Sequence, residues 1–246
     1  MSNSNSFSTV NENLLRLGGF IATAPTHLLI YGCGAMARVL HSYIERDPRY
    51  KIVGFTVDDD LCNMPFFCGL PFVPWSRASK IFSPLTHKMI TAVGYVKMNA
   101  IREQKHIEGC EKGYAFTSYV HPSVSIPDSV RIGKNSVILD YSTIHAGTYI
   151  GDGVFIASNT NIGHDCRIND YCWINSGCSV GGGSQLGASS FLGVGACVAD
   201  SANVRRKSFL GANVIVSGET RDGEVWLPEK PVLHPMSSEQ FVEVFK

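Results

Sequence analysis

The spacing of apolar residues changes character once along the chain. Residues 1–26 are Ser-, Asn- and Thr-rich around one short apolar patch, Leu14-Leu15-Arg16-Leu17, and read as a mobile tail. From there to residue 118 the pattern alternates between strand and helix. His27–Tyr31 is a short apolar run that predicts a strand, and Gly32-Cys-Gly-Ala-Met-Ala37 is a tight turn. Val39, Leu40, Tyr43 and Ile44 recur at helical spacing over Arg38–Arg46, and Pro48 ends that helix. Lys51–Val57 predicts a second strand, followed by Asp58-Asp59-Asp60, and Met89–Val93 a third, followed by Gly94 and a helix from about Asn99. Strand, helix and strand with glycines at strand ends describe a small Rossmann-like parallel sheet.

Beyond residue 119 the period becomes six. Every sixth residue from Val120 through Ile126, Ile162 and Leu192 to Val216 is Val, Ile or Leu, seventeen positions without a gap. If a quarter of residues are aliphatic, such a run arises by chance about once in 10¹⁰. The residue four further on, from Val124 to Val214, is always small: Val, Ser, Thr, Cys or Ala. Neither a helix, with period 3.6, nor a strand, with period 2, repeats at six. Three short strands per coil, each ending in a corner, do. Each side then gives one aliphatic and one small residue to a narrow triangular core, so the segment predicts a parallel β-helix of five to six coils. The residue after the aliphatic is often Gly or Asn (Gly133, Gly151, Gly163, Asn169, Asn175, Gly181, Gly187, Gly193, Gly211), which suggests positive φ at those corners. The domain boundaries that follow are a tail over 1–26, an α/β domain over 27–118, a β-helix over 119–219 and a tail over 220–246. Ser237–Phe245 predicts a short amphipathic helix that caps the exposed edge of the β-helix.

Composition narrows the partners. The 246 residues carry 21 Lys and Arg against 21 Asp and Glu, and this neutral chain lacks the basic footprint of a nucleic-acid binder. No apolar run approaches a membrane span, and the first residues lack a signal peptide, so the expected location is cytoplasmic with reduced cysteines. Cys166, Cys172 and Cys178 occupy the small inward position on successive sides, so they read as core filler rather than metal ligands. His145 and His164 lack a third histidine partner in the body of the β-helix, and no metal is expected.

The hexapeptide rows, preceded by Ile30-Tyr-Gly-Cys-Gly-Ala-Met-Ala-Arg-Val39 and containing Ile162-Gly-His-Asp-Cys166, resemble a known family. It is that of the left-handed β-helix acyltransferases, in particular the bacterial N-acetyltransferases of nucleotide-linked amino sugars and the sialic-acid-type O-acetyltransferases. The resemblance spans about residues 27–220. It implies a left-handed helix, a homotrimer and acetyl-CoA lying between neighbouring β-helices. It also implies a nucleotide-linked sugar on the N-terminal domain and a place in lipopolysaccharide or O-antigen biosynthesis. N-acylation, O-acylation of a sugar hydroxyl and a non-catalytic nucleotide-sugar-binding scaffold are the three readings left open.

Site residues follow from the same match. His164, at the third position of its hexad, corresponds to the family's general base, and Asp165 to the acidic neighbour that orients the ring. Gly182, within Gly181-Gly-Gly183, corresponds to a glycine whose N–H lies near the thioester. Trp173 stands where relatives carry a second histidine against the acyl end of the cofactor. Val194, Gly211 and Ala212 are expected along the pantetheine and adenine. In the α/β domain Gly32, Gly34, Ala35, Met36 and Ala37 form a turn whose N–H groups suit a phosphate, although Ala35-Met36-Ala37 replaces the family's Gly-His-Gly. Asp58 and Asp59 follow the second strand, where a carboxylate accepts from a ribose or base, and Gly94 and Tyr95 end the third strand at the expected crevice. Asn99 and Arg102 lie close by without an assigned role.

Overall fold

The computed structural model describes residues 24–244. The expected tail lies mostly outside them. The N-terminal domain runs β1 (Thr26–Tyr31), α1 (Ala35–Ile44), β2 (Tyr50–Val57), a 3-10 turn at Asp59–Leu61, β3 (Phe66–Phe67), β4 (Leu70–Pro74), α2 (Trp75–Ile81), β5 (Lys88–Thr91), α3 (Ala100–Glu111) and β6 (Ala115–Phe116). The sheet order is β3-β4-β2-β1-β5-β6, and every pairing is parallel except the β3–β4 hairpin. The expected first three strands are present; β3, β4, α2 and β6 were not legible because each is too short to show a period. β1 alternates its side chains between two layers. Leu28 and Ile30 pack with α1, while Leu29 and Tyr31 pack with Trp75, Phe82 and Tyr114 on the other face. The connections leave β1 toward β2 on one side and arrive at β5 on the other, so the strand order reverses between β1 and β5. The carboxyl ends of those two strands open a crevice at that switch point.

From Tyr119 the chain winds as a parallel β-helix. Each two-residue strand pairs with the strand eighteen residues on, as in Thr143–Asn161–Ser179–Cys197–Ile215 and Phe155–Trp173–Phe191–Phe209. The aliphatic row from Ile138 to Val216 is buried and forms one continuous core. The small row does more than fit. Its hydroxyls and thiols donate to the carbonyl fifteen residues on, as Ser136 Oγ to Gly151 O (2.8 Å), Thr148 Oγ1 to Gly163 O (2.8 Å) and Cys178 Sγ to Gly193 O (3.0 Å). These bonds satisfy corner carbonyls inside a core too narrow for water. Cys166, Cys172 and Cys178 are buried members of this row, and burial raises the Cys172 thiol to about 12 and Cys178 to about 11.

The corner geometry corrects the sequence reading. Positive φ falls three residues after the aliphatic, at every position from Asn135 through Asp165 to Asn213, and not at the glycines immediately after it. Those glycines are needed for close approach between coils: a Cβ on Gly163 would stand 2.6 Å from Gly182 N, and one on Gly193 2.5 Å from Ala212 N.

The N-terminal domain sits on one side of the β-helix. That side presents Tyr119, Val137, Phe155, Trp173 and Phe191, all buried in the core shared with α1 and β2. Both edges of the side are also fastened. Asn135 Oδ1 accepts from Thr91 N (2.8 Å), Arg102 donates to Gly153 O (2.7 Å), and the Tyr43 hydroxyl donates to Asp140 (2.7 Å). His106 Nδ1 lies 3.0 Å from the Tyr171 hydroxyl. At the other end, Val225–Trp226 adds to Phe209–Leu210. The expected C-terminal helix forms as α4 (Ser238–Glu243) with a capping box from Ser237 and Gln240. It does not cap the β-helix edge, because every residue from Val225 to Val244 is exposed. Among the described residues no helix is long and apolar enough to cross a membrane.

Candidate functional site

Two features carry chemistry, and they lie on different parts of the molecule. The first is the switch-point crevice, about 350 Å³, between the turn after β1 and the loop after β5. Gly32 adopts φ +134, and a Cβ there would meet Ala92 O at 2.6 Å, so only glycine fits this turn. Gly34 begins α1 without a side chain to cap it, which leaves the first-turn N–H groups facing the crevice with the helix dipole behind them. Gly32, Gly34, Ala35, Met36, Asp58 and Gly94, six of the expected substrate-binding residues, all line the crevice. Ala37 does not; its methyl is fully buried under α1.

Asp58 is held by a group that sequence reasoning missed. Lys105 Nζ, from the second turn of α3, donates to Asp58 Oδ1 (2.6 Å) and to Glu108 Oε2 (2.9 Å), and sits 5.4 Å from the Tyr31 ring centroid. Burial pulls the Lys105 ammonium down, but the bonds to the two carboxylates outweigh it and hold the pKa above its usual value. Burial, reinforced by the hydrogen bond to Asp58, raises the Tyr31 hydroxyl far above the usual phenol range. A lysine one turn into the helix after a strand carries no sequence signal of its own. Asp59 points elsewhere. It accepts from Ser76 N (2.9 Å) at the start of α2, a bond that lowers its pKa, and so acts as a helix cap rather than as a crevice residue.

The second feature is a corner of the β-helix. His164 and Asp165 project from it, with His164 Nδ1 2.9 Å from Asp165 Oδ2 and both side chains about 70% exposed, 70% and 72% respectively. An N–H on Nδ1 donating to the carboxylate leaves Nε2 as the basic nitrogen, directed away from Asp165. Asp165 has φ +54, the left-handed corner position, which Asp tolerates. Glycines in the adjoining coils make room for the pair. A Cβ on Gly147 would collide with the Asp165 carboxylate, and a Cβ on Gly182 would stand 2.5 Å from His164 Nε2.

Two expectations need correction here. The Gly182 N–H is not free for an oxyanion, because it donates to Asp200 Oδ1 (2.8 Å), eighteen residues on. The part Gly182 plays is the space beneath the imidazole. Trp173 is not on a cofactor groove either. It is 5% exposed, stacked on Phe155 (4.1 Å) and covered by the N-terminal domain, with Tyr95 5.4 Å and the Arg102 guanidinium 5.3 Å from its ring. Tyr95 accordingly leans on the β-helix, 4.6 Å from Phe191, and does not line the crevice. Val194 and Ala212 are exposed at one corner, on the far side of a face of small polar residues from His164, and Gly211 is buried beneath Leu227 and Trp226.

Comparison with known proteins gives the fold its family setting. Residues 129–164 match the bacterial transferase hexapeptide family (six repeats). Among solved structures, the chain is similar to the acetyltransferase domain of PglB from Neisseria gonorrhoeae in complex with acetyl coenzyme A. Identity is 24% over 82% of this chain and 95% of that one, with a TM-score of 0.73. It is also similar to PerB from Caulobacter crescentus in complex with CoA and GDP-perosamine, at 24% identity over 81% and 92%, TM-score 0.73. WeeI from Acinetobacter baumannii is more distant, at 17% identity over 81% and 96%, TM-score 0.56. Among curated proteins nothing matches. At these identities the likeness establishes the fold, an α/β domain followed by a left-handed parallel β-helix of the kind found in acetyltransferases.

Proposed function

We propose that this protein transfers the acetyl group of acetyl-CoA to the amino group of a nucleotide-linked amino sugar. The observation that carries the reading is the pairing of a switch-point crevice, suited to a nucleotide phosphate, with an exposed His–Asp pair on a hexapeptide β-helix. Structures of similar fold bind acetyl coenzyme A, and one of them GDP-perosamine with CoA, which supports both ligand classes. Acetyl-CoA brings an activated thioester carbonyl. His164 Nε2 takes a proton from the attacking amine, and Asp165, accepting from Nδ1–H, holds the tautomer and stabilises the imidazolium that forms. The same proton then serves the departing thiolate.

Geometry favours a site shared between copies of the chain. The N-terminal domain occupies one side of the triangular β-helix, and His164 stands at the corner opposite that side. A side of about six residues at ~3.3 Å each puts roughly 16–20 Å of β-helix between a ligand in the crevice and the histidine of its own chain. A neighbouring copy supplies the histidine without that obstacle, and a three-sided prism suits a cyclic trimer. A nucleotide-activated sugar is the form a glycosyltransferase consumes, which suits a cytoplasmic step before surface polysaccharide assembly.

The test is CoA thiol release with acetyl-CoA and GDP- or UDP-linked 4-amino sugars. His164→Ala is expected to lower kcat by about 10²–10⁴-fold. Mixing it with Asp58→Ala, impaired at the crevice, is expected to restore part of the activity by reassortment of copies. A His164→Ala protein at the wild-type rate refutes the base; a hydroxylamine-labile product identifies an O-acetyl ester instead of an amide.

A further inference from the structure

A second cavity, of about 600 Å³, opens where the far end of α1 meets the first coils of the β-helix. The crevice takes the start of α1, and this cavity takes the helix from Val39 onward and Pro48 beyond it. The helix has 10 residues, so about 15 Å separates its two ends. The two spaces share no lining residue, and a volume of this size suits a small organic ligand.

Tyr119 stands on the inner wall of the cavity and is 1% exposed, and its hydroxyl has no hydrogen-bond partner. The hydroxyls of Tyr43, Tyr50 and Tyr114 each donate to an oxygen, Asp140 Oδ1 (2.7 Å), Ser118 O (3.1 Å) and Phe82 O (2.6 Å). Packing does not explain the exception. Tyr119 belongs to the apolar column in which Phe155, Phe191 and Phe209 fill equivalent places. A phenylalanine there would pack without leaving a buried hydroxyl unpaired. Asp47 and Tyr43, which act on that hydroxyl electrostatically, line the cavity too, so the hydroxyl lies on the cavity side of the ring. Burial and then the Asp47 carboxylate raise it to about 12, which keeps it a proton donor at neutral pH.

The same walls carry two ionised carboxylates. Burial opposes the charge on Asp47, but the bonds from Arg49 outweigh it; burial opposes the charge on Asp140, but the bonds from Ser158 and Tyr43 outweigh it. Flat rings border them. Tyr43 and His121 meet edge to face at 5.5 Å, and Tyr141 is 69% exposed.

These groups narrow the ligand. An apolar molecule leaves the Tyr119 hydroxyl unpaired. An anion meets both carboxylates, and among the lining side chains only Arg46 carries the opposite fixed charge. An ammonium group offers Tyr119 no acceptor. A hydroxyl group satisfies both needs, accepting from Tyr119 and donating to Asp140. A ring with hydroxyls around its edge and C–H groups on its faces also matches aromatic walls, whose π faces are negative.

We propose that this cavity is a carbohydrate site for an uncharged pyranose, with Tyr119 and Asp140 on its hydroxyls and the rings of Tyr43 and Tyr141 against its faces. It does not rest on the nucleotide reading of the crevice. A sugar bound here is a second ligand and not the acyl acceptor, since the crevice lies at the other end of α1.

Calorimetric titration of the full chain with the methyl glycosides of glucose, galactose and mannose tests it. At least one is expected to bind with a Kd of about 1 mM or tighter, and the corresponding uronic acid at least tenfold more weakly. Tyr119→Phe should weaken the glycoside about tenfold. Its thermal midpoint without ligand should be unchanged or raised, because an unpaired hydroxyl is deleted from a packed ring. Tyr141→Asn removes an exposed ring at φ 56, a conformation asparagine tolerates, and should weaken binding at least fivefold; it decides the matter if Tyr119→Phe melts lower. Asp58→Ala, in the crevice, should bind the glycoside as wild type does. A wild type that binds no glycoside overturns the site, as does a uronic acid bound equally well. Full affinity in Tyr141→Asn, or in a stable Tyr119→Phe, overturns it too. A loss in Asp58→Ala puts the sugar in the crevice and overturns the assignment to this cavity.

Discussion

Gly182→Ala separates catalysis from folding at the proposed base. The glycine lies one coil beyond His164, and a Cβ on it would stand 2.5 Å from Nε2, 2.8 Å from Cε1 and 2.9 Å from Cδ2. Ordinary contact is about 3.5 Å, so the ring must retreat by about 1 Å. The backbone at Gly182 does not need positive φ, and the His164 side chain is exposed and free to swing. The cost to stability is therefore small, about 0.5 kcal/mol or less. The cost to the reaction is not. A displacement of about 1 Å in a group that must meet a reacting proton costs about 10²-fold, or about 2.7 kcal/mol of transition-state stabilisation. Initial rates of CoA thiol release should show kcat down about 100-fold with KM for acetyl-CoA within about twofold. The thermal midpoint should move by no more than about 2 °C. Because the effect acts through the ring, Gly182→Ala combined with His164→Ala should be no slower than His164→Ala alone. A Gly182→Ala enzyme with wild-type kcat, or a double variant a further 100-fold slower, refutes the reasoning.

A contrasting substitution is Gly193→Ala. There the added Cβ meets backbone, Ala212 N at 2.5 Å and Gly211 C at 2.6 Å, so the coils must part. It should cost about 3 kcal/mol, at the upper end for overpacking, read as a fall in urea midpoint at unchanged slope; a midpoint equal to wild type shows that coil spacing is softer than these contacts imply. His106 gives the domain junction a pH dependence. Burial lowers its pKa, ahead of the opposing pull of Asp152 and the repulsion from Lys134 and Arg102. The unfolded chain then takes up the proton first, so stability is retained above the ordinary histidine value of about 6.5 and falls as pH drops below it. Thermal midpoints from pH 8 to 5 should fall more steeply for wild type than for His106→Phe, and parallel curves exclude the contribution.

Much of the fold is written in the residues. Holding only every sixth residue aliphatic, with a small residue four further on, fits a three-sided coil, because a helix of period 3.6 or a single strand of period 2 does not single out one residue in six. The three outer faces are legible as well, by stepping eighteen residues. Tyr119, Val137, Phe155, Trp173, Phe191 and Phe209 make an apolar column, Thr143, Asn161 and Ser179 a small polar one, and Arg131, Tyr149, Arg167 and Gln185 a long polar one. The apolar column is the side the N-terminal domain covers. That column explains Trp173 better than its alignment with a relative's histidine does. His164 and Asp165 were also legible, since their place in the hexad sets them at a corner.

Tertiary structure decided what those outward residues meet. Hexad position fixes whether a side chain points in or out, but its partner lies a coil away or in the other domain. Gly182 N–H is taken by Asp200, one coil on. Asp58 is taken by Lys105, 47 residues away in the chain. Arg102 reaches Gly153 across the domain junction, and the unpaired Asn99 amide is visible only once the packing around it is known. The local code specifies backbone path and core through short-range geometry. The site depends on where the two domains come to rest against each other, and no spacing within either one records that.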